Sequence, residues 1–181
     1  MDRLDAVLVI DDKVEVHQAV RLALAPHAAR VDAVAAPEAI PDMLASSAYE
    51  CVLLDMNFAA GERSGREGMA ALEAIKASDP SLAVIFMTAY GAVSLAVDGL
   101  KRGANDFLLK PWRNEALVAA VRAAAARTRA ERRDASLDSI EKDAIARALR
   151  RHGGNILQAA ASLGLSRQTL YRRMEKHGLQ G

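Results

Sequence analysis

Five polar residues, spread over a hundred positions, each close or follow a short apolar run. Asp11 and Asp12 follow AVLVI at 6–10, Asp55 ends CVLLD at 51–55, Thr88 follows LAVIFM at 82–87, and Lys110 ends DFLLK at 106–110. Brought together, three carboxylates repel one another and call for a cation. Their hard oxygens suit Mg²⁺, which takes one or two carboxylates, keeps several waters and leaves room for phosphoryl oxygens. A central Asp55 is then a nucleophile toward a phosphoryl donor, giving an aspartyl phosphate. The cation and Lys110 would neutralise charge on the transferring group, and the Thr88 hydroxyl would donate to it afterwards. Taken singly, Asp11–Asp12 reads equally well as a turn and helix cap, and Lys110 as a salt-bridge partner. The chemistry depends on all five meeting.

The elements that would bring them together are legible. The apolar runs, with a weaker one at 30–34 (RVDAV), alternate with helical stripes such as Val16, Val20, Leu24 and Met69, Leu72, Ile75. Uninterrupted apolar strands separated by helices predict a parallel sheet covered on both faces. The expected fold over residues 1–125 is α/β, a five-stranded doubly wound parallel sheet. In such sheets, sites form at the carboxyl ends of the strands, where all five residues fall. Aromatic residues are only 4% of the chain, which disfavours an all-β sandwich. The single cysteine, Cys51, excludes an internal disulfide and a multi-thiolate zinc site. No apolar run reaches membrane-spanning length and MDRLDAVLVIDD reads as a strand, so the expected address is cytoplasmic.

Charge divides the chain. Residues 1–125 carry 12 Lys and Arg against 17 Asp and Glu, while 126–181 carry 12 against 6, so an acidic front precedes a basic tail. Helix 5 runs from Glu115 toward a linker at 126–136, with Arg133–Ser136 as the boundary. Leu137, Ile140, Ala144, Ile145, Ala148 and Leu149 then form an amphipathic stripe that stops at Gly153–Gly154, and its spacing suits a partner helix. Asn155 is a predicted N-cap, ILQAAASL a short helix, Gly164 its breaker and Ser166 the next N-cap. This is the layout of a helix-turn-helix domain over 137–181. Its last helix presents Arg167, Gln168, Thr169, Arg172, Arg173 and Lys176 for base edges and phosphates, with Leu165, Leu170 and Met174 packing inward. His152 and His177 each precede a glycine at a helix end, where an imidazole favours the helix dipole.

VLVIDD, VLLDMN, FMTAYG and GANDFLLKPW resemble the receiver domain of two-component response regulators. The resemblance implies a phosphoacceptor at Asp55, with Mg²⁺ held by Asp12, Asp55 and the Asn57 carbonyl, and by Asp11 through water. It implies a switch pair of Thr88 and Phe107, a phosphoryl contact at Lys110 and a cis Lys110–Pro111 peptide. FAAGERSGREG, after the phosphoacceptor, departs from the receiver pattern in its length, its glycines and its lack of proline. It reads either as a plain flexible loop over 58–67 or as a lid touching the phosphodonor.

SGREGM and the stretch from AYG to KPW resemble receivers of the nitrogen-regulation class, and HGGNILQAAASLGLSRQTLYRRMEKHGL resembles the Fis-type DNA-binding domain that ends many such activators. No GxxxxGK[ST] phosphate loop lies between the two, so the resemblance is to two-domain regulators without the central ATPase. The implied function is a phosphorylation-dependent transcription factor, not an enzyme. A sensor histidine kinase would be its phosphodonor and a near-palindromic double-stranded operator its target, bound as a homodimer. A constitutive architectural DNA-binding protein with a vestigial receiver and a small aspartyl-phosphate phosphatase remain alternatives. The latter lacks a D-x-D after the first strand.

Overall fold

The computed structural model describes residues 3–58, 65–89 and 93–179. The chain divides into two compact units, 1–130 and 131–181.

In the first unit, β1 (Leu4–Ile10), β2 (Ala28–Val34), β3 (Cys51–Asp55), β4 (Ala83–Ala89) and β5 (Asp106–Lys110) form one sheet in the order β2-β1-β3-β4-β5. All neighbouring strands pair in parallel. The chain reverses its direction of travel across the sheet between β1 and β3, the crevice where doubly wound folds bind their ligands. Side chains alternate between faces. Leu8, Ile10, Val52, Leu54, Val84 and Phe86 pack under α2 (Ile40–Ser46), α3 (Arg66–Ser78) and α4 (Val93–Lys101). Val7, Val9, Cys51, Leu53, Ile85 and Met87 pack under α1 (Val14–Leu24) and α5 (Asn114–Arg151). Both faces are covered, which is why these strands read as unbroken apolar runs. The first helical stripe places Val20 and Leu24 in the core, as its spacing predicts.

Two glycines set how closely helices approach the sheet. A Cβ on Gly68 would lie 2.7 Å from the Met56 Cα, so only glycine lets α3 start against the end of β3. A Cβ on Gly99 would enter the ring of Phe86, which is fully buried. Gly99→Ala gains helix propensity of about 1 kcal/mol, but overpacking costs roughly 1–3 kcal/mol when the neighbour is locked. Net destabilisation is therefore expected, read as a lower urea midpoint at unchanged slope.

At the opposite end of the sheet from the acidic residues, α5 is tied down by side chains. The buried Thr128 hydroxyl accepts from Ala83 N at 2.9 Å, and Arg129 clasps Glu50 through Nε at 2.5 Å and Nη2 at 2.9 Å.

The second unit holds the C-terminal part of α5 with α6 (Ile156–Ser162) and α7 (Arg167–Lys176). Both predicted N-caps form. Asn155 Oδ1 accepts from Leu157 N and Gln158 N, and Ser166 Oγ accepts from Thr169 N. Gly164, at φ 67°, ends α6 with Leu165 N donating to Ala160 O and Gly164 N to Ala161 O, the six-to-one and five-to-two pattern of a Schellman stop. The core is Ile145, Ala148, Leu149, Ala159, Ala160, Leu170 and Met174.

One expectation is extended here and one changes. The helix expected to run toward the linker continues unbroken through 133–136 to Arg151. The stripe expected to meet a partner helix is divided: Ile145 and Leu149 lie in the unit's own core, while Leu137 and Ile140 are 57% and 60% exposed. No helix among the described residues is long and apolar enough to cross a membrane.

Candidate functional site

The carboxyl ends of β1, β3 and β5 converge as the alternation predicts. Asp11, Asp12 and Asp55 each place a carboxylate oxygen within 4.8 Å of the others. Asp11 is fully buried, Asp55 nearly so, and Asp12 faces solvent. Lys110, carried across from the far edge of the sheet, bridges the two buried acids, with Nζ 2.6 Å from Asp11 Oδ2 and 2.9 Å from Asp55 Oδ1. The Asp55 Oδ1 atom also accepts from Met56 N at 2.9 Å. One oxygen of Asp55 is thus held by two donors, and Oδ2 carries neither of these contacts. Asp11 Oδ1 accepts from Lys13 N, which closes the turn into α1. The Lys110–Pro111 peptide is cis.

Thr88 is buried on β4, with its hydroxyl 3.3 Å from Ala89 O. Its strand register pairs it with Leu109, and Phe86 with Phe107, so Thr88 and Phe107 lie on one face of adjacent strands two residues apart. Phe107 is half-buried against the α2–α3–α4 core. Asn57 follows β3, and its side chain accepts from Gly65 N at 3.0 Å while Phe58 N donates to Glu67 Oε2 at 3.1 Å. These two bonds tie the ends of the long loop together; its residues 59–64 lie outside the described residues, as do Tyr90 and Gly91 of the FMTAYG motif.

Burial pushes the Asp55 carboxyl above its ordinary value of 3.8; the charge and hydrogen bond of Lys110 oppose this, and the Asp11 charge adds to it. The sign follows from linkage. A carboxyl raised in the folded state imposes no penalty below its ordinary value and the full penalty above the folded value, so stability falls as pH rises through that window. Asp55→Asn is therefore expected to raise the Tm of the first unit at neutral pH without divalent cations, since Lys110 keeps Asp11. Melts followed by Trp112, the one tryptophan of the chain, report this unit alone.

The six residues expected on the last helix fall into three groups. Arg167, Gln168 and Arg172 are exposed. Thr169 is half-buried, its hydroxyl 2.8 Å from Ser166 Oγ in the cap. Arg173 and Lys176 turn toward α5, where Arg173 pairs with Glu141 and Lys176 Nζ lies 2.7 Å from Asp138 Oδ1. His177 completes this cluster, 2.8 Å from Glu141 Oε2, so its partner is a carboxylate rather than the helix dipole alone. The hydrogen bond from His177 and the charge of Arg173 hold the Glu141 carboxyl below its usual range, and Lys176 does the same for Asp138. These acids are matched by the protein's own cations and fix α7 against α5. Tyr171, which the charge pattern passes over, is exposed, with the Arg167 guanidinium 5.5 Å above its ring and Arg167 Nη2 donating to its hydroxyl at 3.3 Å. The signal was present as an Arg and an aromatic at i, i+4.

An open sheet with an acidic pocket and a bridging lysine at its switch point, joined to a capped helix-turn-helix, defines a class of signal-responsive regulators. Residues 7–122 match the response regulator receiver domain and residues 136–177 the bacterial regulatory protein, Fis family, so the chain belongs to the response regulator receiver family and carries a Fis-type module. Only residues 123–135 separate the two matches, leaving no ATPase domain between them. Among curated relatives, the response regulator protein FleR of Pseudomonas aeruginosa is 35% identical over 112 residues, covering 62% of this chain and 23% of that one. The N-terminal receiver domain of a Bacteroides fragilis response regulator is 38% identical at a TM-score of 0.62, covering 67% of this chain and 97% of that one. NtrX from Brucella abortus, solved with ADP, is 26% identical at a TM-score of 0.66 over 75% of this chain and 30% of that one. The chain spans between 17% and 52% of the lengths of the curated relatives it matches.

Proposed function

We propose that this chain is a phosphorylation-switched transcription regulator of a two-component system, with a receiver over 1–125, a linker at 126–136 and a DNA-binding domain over 137–181. The observation that carries the reading is the Lys110 ammonium bridging Asp11 and Asp55 through Asp55 Oδ1, with Oδ2 carrying neither that contact nor the one from Met56 N. A sensor histidine kinase presents a phosphohistidine. Asp55 Oδ2 attacks phosphorus, the P–O bond forms as the P–N bond breaks, and the imidazole leaves with the bonding pair and takes up a proton. Lys110 stabilises negative charge on the transferring oxygens.

The donor set fits Mg²⁺. Asp11, Asp12 and Asp55 bring their carboxylates together, and with the Asn57 carbonyl they are hard oxygens; Asp12, Asp55 and that carbonyl would hold the ion directly, and Asp11 through water. When bound, the ion supplies charge neutralisation for the phosphoryl oxygens. The added charge of about −1.5 to −2 then draws the Thr88 hydroxyl, and Phe107, on the same face, follows.

Arg167 and Gln168 read base edges and Arg172 contacts phosphate. Arg173 and Lys176, held by α5, reach the backbone only by sharing their charge with Glu141 and Asp138. One such module covers few base pairs, so binding is as a homodimer on a near-palindromic site. Exposed Leu137 and Ile140, beside a groove of about 420 Å³ lined also by Ala144, Leu163 and Leu165, support a self-complementary face there. The experiment is selection of duplex DNA from a random pool by the phosphorylated chain. Recovered inverted repeats support the reading, and sequence-indifferent recovery favours the architectural alternative.

A further inference from the structure

We infer that His17 is a positioning residue for the acidic pocket, acting through the backbone of Asp11. His17 lies in the first turns of α1 and is 8% exposed, with Nε2 2.7 Å from the Asp11 carbonyl oxygen. A carbonyl only accepts, so Nε2 carries the proton and donates. The other polar groups of Asp11 are already engaged: its N–H donates to Val34 O at 3.1 Å, Oδ1 accepts from Lys13 N and Oδ2 from Lys110. The His17 bond completes the set and fixes the peptide plane that joins Asp11 to Asp12. The buried carboxylate against Lys110 and the exposed one beside it hang from that plane. Without the imidazole, the carbonyl loses a partner in a buried site, and the turn is free to rotate toward water to regain one.

The inference rests on the Mg²⁺-site reading, because what His17 orients is the pair of carboxylates proposed to hold the ion. Covalent geometry supplies the test. Glutamine carries its amide nitrogen the same number of bonds from Cβ as the histidine Nε2, asparagine one fewer, and leucine fills the space without a donor. Mg²⁺ stabilises the folded chain by mass action, so melting by Trp112 fluorescence across a Mg²⁺ series gives an apparent affinity without any phosphoryl transfer. His17→Leu and His17→Asn are expected to need roughly tenfold more Mg²⁺ for the half-maximal shift, the scale on which partners of metal ligands act. His17→Gln should stay within about threefold of wild type, since its donor is retained. Wild-type affinity in the leucine and asparagine variants, or a glutamine variant as weak as they are, overturns the role of His17. If the leucine variant does not fold, asparagine against glutamine decides alone. A wild-type chain that shows no Mg²⁺ shift overturns the metal-site reading itself.

Discussion

Incubated with Mg²⁺ and acetyl phosphate, the wild-type chain is expected to take up one phosphoryl group, releasable by hydroxylamine as an acyl phosphate must be, and Asp55→Asn none. The three acids of the pocket are not equivalent. Asp11 is fully buried, with both carboxylate oxygens occupied by Lys13 N and Lys110. Asp12 faces solvent, and the ammonium bridges the other two. Asp55 alone combines a donor-held oxygen, an oxygen clear of those donors, and a place at the end of the strand between β1 and β4. An amide there keeps the size but loses the anionic nucleophile, so loss is expected to be complete and not graded. Intact mass spectrometry of both proteins reads the outcome. A singly phosphorylated Asp55→Asn protein would place the nucleophile elsewhere.

The second large effect belongs to the exposed arginines of α7. Arg167, the first residue of the helix, is stacked on Tyr171 and bonded to its hydroxyl, so less side-chain freedom is lost when it docks. That suits a base contact, and Arg167→Ala is expected to weaken specific binding by about 1–3 kcal/mol, roughly 5- to 150-fold, with relaxed preference at one base pair. Arg172 is exposed. Arg172→Ala is expected to weaken all sequences alike and to reduce the slope of log K against log salt by about 0.9. Anisotropy titrations over a salt series, on the selected site and on a site with one base changed, separate the two. Equal salt slopes and equal preferences in both variants would contradict the assignment.

The pocket was legible because strand ends are legible. Each of its residues terminates an apolar run, and parallel topology sends all those ends to one edge. The caps at Asn155 and Ser166 were legible because their chemistry is local to three or four residues. What escaped is long-range or lies in the backbone. Arg173 and Lys176 look like free charges in a basic helix, and only folding brings Glu141 and Asp138, more than thirty residues away, against them. Ile145 and Leu149 share the spacing of Leu137 and Ile140, but periodicity does not say which partner a stripe meets, and α6 and α7 take the first two. The role inferred for His17 leaves no mark in side-chain spacing, because what it touches is a carbonyl. The lack of glycine and proline already lets helix 5 be read as running into the linker; its continuation through 133–136 to Arg151 goes one step beyond that reading.

The central claim is that the state of Asp55 governs DNA binding through the chain that joins the two units. Its direct test is gel-shift titration of the selected operator with unmodified protein, with protein phosphorylated by acetyl phosphate, and with Asp55→Asn exposed to the same donor. The expected result is tighter binding at two chains per operator for the phosphorylated protein alone, with the other two weak and indistinguishable. Identical affinity and stoichiometry in all three would contradict the coupling, even with DNA binding and phosphorylation each intact.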